Sequence, residues 1–204
     1  MQLRGNDRVR FFALAVLLAC ARRRDQSAET INKPFIVSGA RVDPDSLNAY
    51  LAAHRGFTSK GGEMRCAYRP VGQSGTKVFV WAMCSELLAV DGRLIDGSGM
   101  SLPAAFEIEV DSGRPHIVGV EVPQDGDHYG PSIRRIFPAS AWPAIFADRA
   151  RGHPVAGLDA YLRRDAATRF GLPAAAASAL HVHDLPFDSR NGDSITIRRQ
   201  RSRK

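Results

Sequence analysis

Lys77-Val78-Phe79-Val80-Trp81-Ala82-Met83-Cys84-Ser85-Glu86-Leu87-Leu88 is the segment from which the architecture can be read. Successive side chains of a strand point to opposite faces, so Val78, Val80, Ala82 and Cys84 share one side while Phe79, Trp81 and Met83 share the other. Both faces are apolar, which predicts an interior strand covered above and below. A second run, Glu63 to Arg69, precedes it across the turn signal Gly72-Gln73-Ser74-Gly75. If the hairpin turns near Ser74 and Gly75, Cys66 and Cys84 face each other or nearly so, within reach of a disulfide.

On the other side, Asp91-Gly92 is a two-residue hairpin signal that returns Arg93-Leu94-Ile95 beside Leu87 to Val90. Gly97-Ser98-Gly99 predicts a bulge or bend before a new extended run. In that run Phe106, Ile108 and Val110 alternate with Glu107 and Glu109, so one face is buried and the other wet. Asp111-Ser112-Gly113-Arg114 turns into His116 to Val122. Register counted from this turn sets Phe106 opposite Val120 and Ile108 opposite Val118.

A helix is expected before the strands. Asp43-Pro44-Asp45-Ser46 suits its first turn, Leu47, Tyr50, Leu51 and His54 form an apolar stripe, and Gly56 ends it. Two helices are expected after them. Ser140 is placed to cap a turn carrying Trp142, Ile145 and Phe146. Leu158, Tyr161, Leu162, Asp165, Ala166, Arg169 and Phe170 trace an amphipathic helix that stops at Gly171. The fold class is therefore α+β, a helix packed on an antiparallel meander of about four strands with further helices C-terminal. In architecture this resembles the cystatin-like and nuclear-transport-factor-like folds, an analogy that fixes no function.

The ends of the chain differ from its middle. Arg4, Arg8 and Arg10 lead into the apolar Phe11 to Ala19, the pattern of a secretory signal peptide and too short for a span of about 20 residues. Leu17-Leu18-Ala19-Cys20 resembles the lipobox of bacterial lipoproteins. That resemblance implies lipidation at Cys20, membrane attachment through the lipid, and an exported protein of the cell envelope. Ala19-Cys20-Ala21 also fits ordinary signal peptidase, which would release a soluble periplasmic or secreted chain beginning at Arg22. Arg22, Arg23 and Arg24 oppose translocation directly after the apolar run. Either route removes Cys20 from the count and leaves Cys66 and Cys84 as a pair, which an oxidising compartment would bond. The expected organisation is a signal peptide at 1–19, a polar linker at 20–38, one domain at 39–172, and a low-complexity and basic tail at 173–204 with little tertiary contact.

Net charge is +7, yet its placement argues against specific nucleic-acid binding. Residues 1–19 carry +2, 20–24 carry +3 and 190–204 carry +5, which leaves −3 on the body 25–189. Arg198, Arg199, Arg201, Arg203 and Lys204 form a cationic end suited to anionic surfaces, a pull that weakens as salt rises.

The chemical motifs are weak. Ser74-Gly75-Thr76-Lys77 matches the Ser-x-x-Lys of penicillin-recognising enzymes, but in a turn where a helix is required. Gly72 to Lys77 likewise resembles part of a phosphate loop and precedes a strand instead of a helix. Pro123 to Pro131 holds the conspicuous polar residues Asp125, Asp127, His128 and Tyr129, candidates for a small hydrolase. Tyr129 and Ile136 stand where a calcium loop needs oxygen ligands, so an EF-hand is excluded. His181 and His183 share one side of an extended segment, but two imidazoles do not complete a metal site. No cofactor and no metal is expected. The function expected is that of an exported envelope module acting by binding, inhibition or assembly on an unknown protein or envelope partner.

Overall fold

The computed structural model describes residues 30–54, 58, 60–147 and 153–177. Cys20, His181, His183 and the Arg198 to Lys204 cluster lie outside them.

Two short strands, β1 (Phe35–Val37) and β2 (Ala40–Val42), form a hairpin, followed by helix α1 (Pro44–His54). Four long strands come next: β3 (Glu63–Ser74), β4 (Lys77–Val90), β5 (Arg93–Asp111) and β6 (Arg114–Glu121). They pair antiparallel in the order β3-β4-β5-β6, every connection a hairpin. Helices α2 (Tyr129–Ile136), α3 (Trp142–Ile145) and α4 (Leu158–Arg169) complete the fold. The α+β class and the four-stranded meander are as the sequence predicts.

Local chemistry fixes the hairpins. Asp91 and Gly92 have φ of 49° and 73°, and Ser112 and Gly113 of 49° and 77°. Two consecutive positive φ values match the right-handed twist of the flanking strands, which is why short Asp-Gly and Ser-Gly pairs stand there.

The sheet separates two cores. Phe35, Val37, Val42, Leu47 and Leu51 cover one face, against Tyr68, Val78, Val80, Ala82, Cys84, Phe106 and Ile108. Ile133, Ile136, Phe137, Ile145, Leu158, Leu162 and Ala166 cover the other, against Ala67, Phe79, Trp81, Leu87 and Leu94. Strand β4 is thus buried on both sides, as its two apolar faces require.

Several expectations are corrected. Residues 20–38 are not all linker, because Ile31, Phe35 and Val37 are buried and β1 belongs to the core. The bulge expected at Gly97-Ser98-Gly99 is present, but no new run begins after it, since β5 continues unbroken from Arg93 to Asp111. There Ser85 faces Gly99 and Leu87 faces Asp96, so Gly97 and Ser98 together stand against Glu86. This bulge shifts the alternation by one residue and turns Leu94 to the face of Leu87, opposite to that of Phe106. Phe106 faces Val120 as predicted, but Ile108 faces Ile117. Val118 is the extra residue of a second bulge and is 49 % exposed. His54 is exposed at the end of α1 instead of continuing its buried stripe. Ser140 caps nothing, since Ala141 holds the position before α3 and provides no side-chain bond. Ala174–Ala177 forms a 3-10 turn beside α4 and β5, where little tertiary contact was expected.

Tyr68 ties β3 to the N-terminal hairpin. Its ring is fully buried and stacks on Phe35, and its hydroxyl donates to the Lys33 carbonyl at 2.9 Å. Burial raises the phenol above its ordinary value, with the Asp43 and Asp45 carboxylates adding to the effect. A raised folded value means the contribution to stability is intact below the unfolded value of 10.0 and declines as pH climbs from there toward the folded one. Tyr68→Phe should cost about 1–2 kcal/mol at neutral pH, because the Lys33 carbonyl loses its donor. It should also flatten the alkaline loss of stability. Urea unfolding at about pH 8 and about pH 11 measures both, and equal alkaline slopes in the two proteins would refute the assignment.

Candidate functional site

The loop singled out by sequence is a surface helix start. Gly126–His128 makes a 3-10 turn that runs directly into α2, and Asp125, Asp127 and His128 are exposed. Tyr129 is half-buried, and burial followed by the Asp125 charge raises its phenol. The buried hydroxyl at the bend belongs to Ser132, which donates toward the carbonyls of His128 (2.6 Å) and Tyr129 (3.0 Å) and accepts from Gln124 N–H (3.1 Å). Those bonds secure the helix start and account for Ser132 structurally. The four candidates share a segment but line neither cavity described below.

A cleft of about 380 Å³ opens along the edge strand β3, between α1 and α4. The α1 wall presents Asp45, Asn48, Ala49 and Ala52, and the α4 wall Tyr161, Asp165 and Arg169. Its floor is Met64, Arg65 and Cys66 of β3, with Asn32 at one end. Arg65 donates to Asp165 and, at 2.9 Å, to Glu63, and Arg169 pairs with the same Glu63 at 3.2 Å. Burial opposes the Arg65 charge, but these carboxylates outweigh it and hold the guanidinium above its ordinary value. Asn32 Nδ2 donates to Tyr161 Oη at 3.3 Å, and Asn48 Oδ1 is sealed from solvent without a donor.

A second cavity, about 540 Å³, lies where β2 and α1 meet β6, lined by Arg41, Asp43, Ser46, Tyr50, His116 and Ile117 among others. Arg41, Asp43 and His116 in its lining are exposed.

The sulfurs of Cys66 and Cys84 are at bonding distance, 1.99 Å, across directly paired residues of β3 and β4. Among the described residues, no three His, Cys, Asp or Glu side chains gather to hold a metal, and no helix is long and apolar enough to cross a membrane. Asn32, Asn48, Arg65, Tyr161 and Asp165 are the cleft residues that sequence reasoning missed. They come from α1, β3, α4 and the turn before β1, and carry no shared motif. No protein family, curated protein or solved structure matches the chain.

Proposed function

We propose that the chain is an exported protein of the cell envelope, attached through a lipid on Cys20, whose α+β domain acts as a non-enzymatic binding module. The observation that carries the export reading is the Cys66–Cys84 pair, set at bonding distance by strand register. Such bonds persist in oxidising compartments and are rare in the cytosol. Binding is preferred to hydrolysis because Asp125, Asp127 and His128 stand exposed on one turn and line neither cavity, whereas the β3 cleft is concave and walled by two helices.

Metabolic labelling with a palmitate analogue tests attachment. The wild type is expected to take up label and partition with membranes, and Cys20→Ala to do neither. An unlabelled wild type recovered from the cytosol would overturn the reading.

A further inference from the structure

Among the described residues, nothing fills the pairing site along part of the β3 edge. Between Met64 and Tyr68 the strand runs in unbroken register with β4. Tyr68 turns its N–H and C=O away from β4 toward Asn32. Its N–H donates to Asn32 Oδ1 at 2.9 Å, and its carbonyl accepts from Asn32 N–H at 2.8 Å. In an antiparallel ladder that orientation recurs at every second residue, so the N–H and C=O of Cys66 and Met64 face outward too. The Cα atoms of Cys66 and Cys84 lie 4.0 Å apart, the close spacing of a pair that exchanges no backbone bonds. Among the described residues, no backbone group outside the sheet pairs with these four. They open into the cleft between α1 and α4.

We infer that this cleft takes an extended, basic peptide segment of a partner protein, added to β3 as a further strand in line with Asn32. The inference rests on the binding-module reading and gives it a ligand class. Asn32 already makes the pairing for one residue, so an added strand continues a pattern present in the fold. The open edge from Met64 to Cys66 offers about 7 Å, at roughly 3.3 Å per residue, and continues directly into the pairing that Asn32 makes with Tyr68. Helices α1 and α4 flank the edge on its two sides. A second copy presenting its own β3 would bring its α1 and α4 against these walls. Charge selects the peptide. Glu63 and Asp165 engage Arg65 and Arg169, and Asp45 on the α1 rim stands outside those pairs.

The test titrates the full-length chain with a fluorescein-labelled octapeptide of alternating threonine and lysine, read by anisotropy. Saturable binding is expected, with the Cys66 and Met64 amides slowed in hydrogen exchange by the bound peptide. Affinity should fall at least about tenfold for the same peptide N-methylated throughout, and by a similar factor for one with glutamate in place of lysine. Ala49→Trp, at an exposed α1 position on the cleft wall, should block the peptide while leaving the melting temperature unchanged. Asp45→Asn should weaken it about threefold. No binding, undiminished binding of the N-methylated peptide, or binding that ignores Ala49→Trp would overturn the inference. So would a concentration-dependent dimer that excludes the peptide. These outcomes are independent of labelling at Cys20: a labelled protein that ignores the peptide sinks the ligand class alone, and an unlabelled one that binds it sinks the envelope reading alone.

Discussion

Replacing Glu86 with Gln is expected to lower the unfolding free energy by about 3 kcal/mol, the scale for losing charge-assisted bonds inside a protein. Glu86 is fully buried in β4. Its Oε1 accepts from the N–H groups of Lys60 (2.8 Å) and Gly62 (2.9 Å), and its Oε2 from Ser98 N–H (3.0 Å) and Ser98 Oγ (2.9 Å). Each oxygen faces two donors, so a glutamine amide nitrogen meets donors whichever way it turns. The carboxylate joins the segment entering β3 to the β5 bulge, and that bulge sets the face on which Leu94 packs.

Gly97 belongs to the same device. A Cβ at that position would lie 2.6 Å from the Glu86 carboxyl carbon, a distance that no relaxed side chain keeps. Gly97→Ala should therefore destabilise the protein by an amount comparable to Glu86→Gln. In a Glu86→Ala background the obstacle is gone, and the second substitution should add less than about 1 kcal/mol. Denaturant titration of the four proteins gives the coupling. Additive effects would mean that Gly97 acts through its own backbone freedom and not through room for Glu86.

Neither residue announces this in the sequence. The bulge is signalled by Gly97-Ser98-Gly99, but its partner reads as one polar interruption in an apolar strand. What was legible rests on local rules: two-residue turns at Asp91-Gly92 and Ser112-Gly113, the two-faced apolar alternation of Val78 to Cys84, and the stripe of α4. A turn at Ser74-Gly75 would set Cys66 one residue off, against Met83; the observed turn is Gly75-Thr76, and the extra residue Val71 opposite β4 shifts the register so that Cys66 meets Cys84. The count at Ile108 fails because the two-residue turn Ser112-Gly113 sets Ile108 against Ile117, and only beyond the bulge at Val118 does the register bring Phe106 opposite Val120. Ser38-Gly39 is a third hairpin pair, with φ of 47° and 80°, hidden by strands of only three residues. Helix α2 was hidden by Gly130 and Pro131, which read as a turn. Pro131 is tolerated in a first helical turn, where its missing N–H has no partner to lose. The cleft could not be read at all, because it is made by where α1 and α4 flank one strand edge.

Removing the bond between β3 and β4 with Cys66→Ala and Cys84→Ala together is expected to cost about 3 kcal/mol, from the chain entropy of closing a loop of this length. The two cysteines are 18 residues apart, so the constraint acts on the unfolded hairpin more than on any distant contact. Both side chains also lie in the core beneath α1, with Cys84 fully buried, and alanine leaves part of that volume empty. For a domain of this size the sum should lower the melting temperature by roughly 10 °C. The wild type should fall most of the way to the double variant in dithiothreitol, and the double variant should not respond to it. Loss of the constraint frees the edge strand first, because β3 is held in the sheet by β4 alone. Amide exchange should therefore accelerate more in β3 than in β5. The result that refutes this is a wild type whose melting ignores reductant and whose thiols react freely after unfolding. Cys66 and Cys84 would then be two small apolar side chains brought together by register, and the export reading would lose its structural support.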